Sequence, residues 1–138
     1  MTILQPPDWA KPKGYANGIA ARGTHIFVAG QVGWDATKPD AIGRPTWPAL
    51  DFAGQTLQTL RNIVAVLHEA GAGPEHLVRL TWYVRDRDEY VAAWPAIGKH
   101  YREVLGKHFP AMSAIGVSAL IEPEARVEIE ATAVLPDR

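Results

Sequence analysis

Two carboxylates stand two residues apart in the otherwise apolar run Val127-Glu128-Ile129-Glu130-Ala131. Along a strand, residues i and i+2 share a face, so Glu128 and Glu130 point the same way. Acidic side chains seldom enter an apolar setting without a partner or a task. A carboxyl group against apolar neighbours has a raised pKa, which makes it a useful proton donor and acceptor near neutral pH. The chemistry suggested is general acid/base work. The plainer reading makes both acids ion-pair or hydrogen-bond partners between subunits. A second run, Phe109-Pro110-Ala111-Met112-Ser113, leads into another apolar strand nearby in sequence.

Other chemistries find little support. There is no cysteine, so disulfides, thiol nucleophiles and thiolate metal sites are excluded. His25, His68, His76, His100 and His108 contain no i, i+4 pair and lie in no metal-ligand motif. A net charge of −1 and the absence of a basic stripe give nucleic-acid binding no electrostatic basis. The start of the chain, MTILQPPDWAKPKG, lacks a long apolar stretch, and no run of 18 apolar residues occurs. These features read as a cytoplasmic protein that does not span a membrane.

The elements that must position the acids follow from periodicity. The 138 residues make one domain, 1–138, with 1–13 as an extended, proline-rich N-terminal segment. Residues 16–22 are a weak strand. His25-Ile26-Phe27-Val28-Ala29 is a strong one, which Gly30 is expected to end. Prolines 39, 45 and 48 and Gly43 mark 35–48 as a loop. Phe52, Leu57, Leu60, Ile63, Val64 and Leu67 recur at helical spacing, with Asp51 as cap and Gly71 as terminator. Leu77–Arg85 alternates as a strand. Tyr90, Trp94, Ile97, Tyr101 and Val104 form a second helical pattern that Pro95 must kink or restart. Residues 113–121 and 126–135 are the last strands. Asp86 to Glu89 reads as a capped helix start.

The order β-β-α-β-α-β-β predicts an α+β fold, two layers deep, with a mixed sheet of about five or six strands and both helices on one face. The other face is apolar enough in Leu77–Arg85, and mixed enough in Val127–Leu135, to call for a second subunit.

Several motifs resemble the RidA/YjgF family, also called the endoribonuclease L-PSP family. Gly14-Tyr15-Ala16-Asn17-Gly18 is similar to its N-terminal Pro-Tyr-Ser motif, and Val28-Ala29-Gly30-Gln31-Val32-Gly33 to its Ser-Gly-Gln strand end. Gln55–Gly71 is similar to its first helix. Phe109–Ser113 stands where the family has Phe-Pro-Ala-Arg-Ser, and Val127–Ala133 where it has Glu-Ile-Glu-Ala-x-Ala. The resemblance runs from residue 14 to 135. It implies a chorismate-mutase-like subunit, a homotrimer with clefts between subunits, and hydrolysis of enamines and imines to oxo acids and ammonia without metal or organic cofactor. It implies Glu128 as the catalytic acid/base and puts Tyr15, Ala29 and Met112 at substrate-binding positions; Gly30, Gln31, Trp34 and Ser113, beside them in sequence, complete the candidate substrate-binding set.

This chain departs from the family at two of those positions. Met112 replaces the arginine that binds the substrate carboxylate, and Ala29 replaces a serine. Methionine cannot make the bidentate charged contact of an arginine. A charged hydrogen bond is worth about 1.5–3 kcal/mol, so binding of the usual small substrate, 2-aminoacrylate, falls roughly tenfold to a hundredfold or more. The resemblance therefore implies a deaminase for a different substrate, or a binding protein that has lost turnover; ribonuclease action lacks both positive charge and a histidine pair. An apolar wall beside Glu128, to which Met112 contributes, would raise the acid's pKa. Plainer readings stand beside these roles: Tyr15 as a plug at a subunit boundary, Trp34 as a cover for the core, Gly30 and Gly33 as turn residues. Trp82, Trp94 and Tyr101 lie at core spacing and read as structural.

Overall fold

A computed structural model describes all 138 residues. Strands β1 (Thr2–Leu4) and β2 (Gly18–Ala20) pair with each other as a separate two-stranded sheet. Strand β3 (Thr24–Val32) is followed by a small hairpin of β4 (Asp35–Pro39) and β5 (Pro45–Thr46). Helix α1 (Phe52–Glu69) leads to β6 (Leu77–Val84). Helices α2 (Arg87–Ala92) and α3 (Trp94–Leu105) precede β7 (Ala111–Gly116) and β8 (Val127–Leu135). The main sheet has the order β3-β8-β6-β7, with β6 and β7 parallel and the other neighbours antiparallel.

The α+β architecture and the mixed sheet agree with expectation, but the main sheet has four strands. β2 is not part of it and pairs antiparallel with Thr2-Ile3-Leu4 instead. The segment expected to be extended throughout thus contains a strand, and the expected 35–48 loop holds the β4–β5 hairpin. Pro39 and Pro45 are tolerated there because this two-stranded ribbon needs few ladder bonds. Gly30 does not end β3. The register shifts between Val28 and Gln31, a bulge, and pairing resumes to Val32. β7 stops at Gly116, not 121, because its partner β6 ends at Val84.

α1 forms where the pattern requires. The Asp51 carboxylate accepts from the Gly54 N–H at 3.2 Å, and Gly71, at φ 73°, turns the chain after the helix. Its apolar stripe (Leu60, Ile63, Leu67) is fully buried on Leu80, Ile129 and Ala133. Each such leucine or isoleucine contributes roughly 1.5–3 kcal/mol through burial. Gln55 is also fully buried and fully used: its Nε2 donates to the Glu124 carbonyl at 2.9 Å and its Oε1 accepts from the Arg126 N–H at 2.8 Å. That clamp fixes the entry of β8, and so the position of Glu128. Asp86 caps α2 by accepting from the Asp88 and Glu89 N–H groups, and Pro95 sits in the first turn of α3, where no N–H is missed. The helices cover one face of the sheet. The other face leaves Phe27 76 % exposed.

Candidate functional site

Strand alternation decides which face each residue takes. Tyr83 pairs with Glu128, and Leu80 with Met112. Leu80 lies in the core beneath the helices, so Met112 faces that side, and Tyr83 and Glu128 face the open side. Within one chain Met112 therefore builds no wall beside Glu128; the two stand on opposite faces of the sheet.

On the open face, Glu128 and Glu130 do point the same way, and the structure treats them differently. The Tyr83 hydroxyl donates to Glu130 Oε1 at 2.7 Å. That bond holds the Tyr83 phenol above its ordinary pKa, with some added desolvation. Glu128 takes part in none of the chain's ion pairs. It is half-buried and lies over Gly30: a Cβ at residue 30 would fall 2.9 Å from its Cδ. Gly30 is thus a strand residue whose missing side chain gives the carboxylate room. Gly33 plays a packing role, since its Cβ would meet the Gln55 backbone at 2.7 Å. Ala29 borders a shallow hollow of about 320 Å³ with Phe27, Arg79, Thr81 and Glu130. The Gln31 amide donates to the Ala29 carbonyl at 3.0 Å, back onto its own strand. Trp34 packs on Trp47 with ring centroids 5.9 Å apart, and its carbonyl accepts from Asn62. Its backbone is thereby fastened to the middle of α1, and it does not line the cleft described next.

On the helix side, a cleft of about 800 Å³ opens between the N-terminal segment, α2–α3 and the edge strand β7. The Ala16 N–H donates to the Pro110 carbonyl at 3.0 Å, which holds Tyr15 beside β7. Tyr15, Met112 and Ser113 all line this cleft. Five more aromatics line it: Trp82, Tyr90, Trp94, Tyr101 and Phe109. Tyr90 stands edge-on to Trp94 at 6.0 Å, and Tyr101 stacks on Phe109 at 5.1 Å. The Tyr101 hydroxyl donates to the His108 carbonyl at 2.6 Å, and burial pushes that phenol well above its ordinary pKa. Trp82 and Tyr101 are core residues as expected. Trp94 is not: it is 55 % exposed. Helical spacing placed it on the right side of α3, but nothing covers that end. Lys13, Gly98 and Arg102 also line the cleft and were not singled out from sequence. A glycine one turn before an arginine on the same helix was the available signal. No group of three His, Asp or Glu side chains is placed to hold a metal ion, and no helix is long and apolar enough to cross a membrane.

Comparison with known proteins agrees with the fold. The family model described as endoribonuclease L-PSP matches residues 9–135. A RutC family protein of Synechocystis is 34 % identical over 137 residues, 99 % of this chain and 98 % of that protein. Another, from Pyrococcus abyssi, is 32 % identical, covering 89 % and 88 %. Among solved structures, a protein of unknown function of the conserved Rid family from Yersinia pestis superposes with a TM-score of 0.80 at 34 % identity, covering 97 % of this chain and 98 % of that one. The YjgF gene product of Escherichia coli superposes with a TM-score of 0.68 at 28 % identity, with the same coverage.

Proposed function

The chain belongs to the RidA/YjgF (endoribonuclease L-PSP) family, and from that premise we propose that it hydrolyses enamines or imines of a substrate other than 2-aminoacrylate, in a cleft completed by a second copy of itself. Glu128 is the general acid/base. Glu128 in its acid form first protonates the enamine's β-carbon, giving the iminium. Water then adds through its oxygen to the iminium carbon, losing a proton to the Glu128 carboxylate and leaving a neutral carbinolamine. The acid gives that proton to nitrogen, the C–N bond breaks as the hydroxyl proton passes back to Glu128 and the C=O forms, and ammonia leaves an oxo acid behind with Glu128 again protonated. Substrate and one water account for every atom of the products.

The observation that carries this reading is the unequal treatment of two adjacent acids. Glu130 is tied to Tyr83, whereas Glu128 is unpaired and rests against a glycine that keeps space open for it. A free carboxyl group within reach of bound water or substrate is what proton transfer requires. Closure requires the second copy, because Met112 and Ser113 face away from Glu128 or stand at the far edge strand, while the open face lacks any cover. Homotrimerisation, the assembly that the family resemblance implies, would supply that copy. No cofactor is called for. Ammonia release from enamines generated by an amino-acid oxidase tests the proposal, with Glu128→Gln as the control that must lose the activity.

Met112 and Ala29 favour a second reading, a ligand-binding protein of the same shape without turnover. Stoichiometric retention of a ligand, with no ammonia from any enamine supplied, would select it.

A further inference from the structure

A glycine inside a helix costs about 0.5–1 kcal/mol relative to alanine. Gly98 lies mid-way along α3, and packing does not explain it. A Cβ there would meet only the Arg102 Nη1, at 3.7 Å, an ordinary contact. The space above Gly98 belongs to the aromatic cleft. Arg102 follows one turn later, so its guanidinium lies over that space, and it joins none of the chain's ion pairs. Lys13 brings a second cation to the same cleft from the N-terminal segment. The cleft thus has an aromatic interior, an exposed indole at Trp94, and positive charge on two sides with no acid among its lining residues. Its volume of about 800 Å³ suits a ligand much larger than a three-carbon acid.

We propose that this cleft binds an aromatic carboxylate, the ring lying among Tyr90, Trp94 and Trp82 above Gly98, and the carboxylate held by Arg102 with Lys13 beside it. The arginine absent from position 112 is replaced in function by one on the neighbouring helix, displaced outward so that a ring fits between it and the sheet. A guanidinium grips a carboxylate through paired, charge-assisted hydrogen bonds, and the rings supply edge-to-face contacts. Arg102 is then a binding residue and Gly98 a specificity-determining one. As the substrate class of the proposed deaminase, this assignment rests on that reading; as a binding site it stands alone.

Unreactive probes separate the two. Titration calorimetry on the full chain compares 3-phenylpropanoate with propanoate, which keeps the acid and lacks the ring, and with 3-phenylpropanol, which keeps the ring and lacks the acid. The phenyl acid is expected to bind at least about tenfold more tightly than either. Arg102→Ala should weaken the acid about tenfold and leave the alcohol unchanged. Gly98→Leu should abolish binding of both ring compounds without lowering the melting temperature, because leucine is the better helix former. Equal affinity for the phenyl acid and propanoate, or full affinity in Arg102→Ala, overturns the inference. A chain that releases ammonia from small enamines yet ignores 3-phenylpropanoate refutes this inference alone. A chain that binds the phenyl acid but turns over no phenylalanine-derived imine refutes the deaminase and leaves the binding site standing.

Discussion

The helix-covered face of the main sheet presents Leu80, Trp82 and Met112, and the open face presents Tyr83, Glu128 and Phe27 from the same or neighbouring strands. The covered face has a closed core and a cleft that one chain lines with aromatic rings and two cations. The open face is unfinished. It carries a half-buried acid with no ion-pair partner and a phenylalanine left in water. The contrast teaches that the buried core and the aromatic cleft lie on one side of the sheet, and the unpaired acid and the exposed phenylalanine on the other; the proposed function assigns ligand recognition to the first side and proton transfer and assembly to the second.

The largest expected effect breaks the open face's chemistry. Glu128→Gln should lower ammonia release about 10²- to 10⁴-fold, the usual contribution of a general acid/base, with the melting temperature near that of the parent. A rate equal to the parent's removes Glu128 from the mechanism. The counterpart on the covered face is Leu60→Ala. Leu60 is fully buried, and its truncation should cost about 2–5 kcal/mol in denaturant unfolding. Phe27→Asp should come next. It leaves the monomer's stability within about 0.5 kcal/mol, as exposed sites do, but should weaken self-association by about 2 kcal/mol or more. Sedimentation would then show a species near 15.1 kDa; an unchanged oligomer would place the interface elsewhere.

The smallest effect concerns pH. Tyr101, by burial, and Tyr83, by its bond to Glu130, both have pKa values above the ordinary 10.0 in the folded chain. The folded state therefore keeps protons that the unfolded chain releases first. Their contribution is complete below about pH 10 and is lost as pH rises through the folded values. Tyr101→Phe should cost about 1 kcal/mol at neutral pH, from the lost hydrogen bond to His108, and should make the alkaline decline of the melting temperature shallower. A decline as steep as the parent's would show that this phenol does not drive it.

The sequence made the local features legible. The α1 stripe, the Asp51 cap, the restart at Pro95 and the shared face of Glu128 and Glu130 all follow from spacing, because short-range periodicity fixes them. What lay hidden depends on pairing between distant segments. The opposition of Met112 and Glu128 follows only from the registers of β7 and β8 on β6. Thr2-Ile3-Leu4 is too short to read as a strand until Gly18-Ile19-Ala20 is seen beside it. Trp94 shows the same limit: helical spacing gives the side it faces, and only the fold reveals that this end of α3 is uncovered.

The parallel pairing of β6 with β7 has one more consequence. Parallel neighbours need a crossover, and here α2 and α3 provide it. Nearly all of the aromatic cavity is consequently encoded in one uninterrupted stretch, Trp82 to Ala114, with a clip from the chain's beginning. Such a stretch can be exchanged between homologous chains as a cassette. A chimera carrying it would inherit the donor's ligand preference while keeping the recipient's acid on β8.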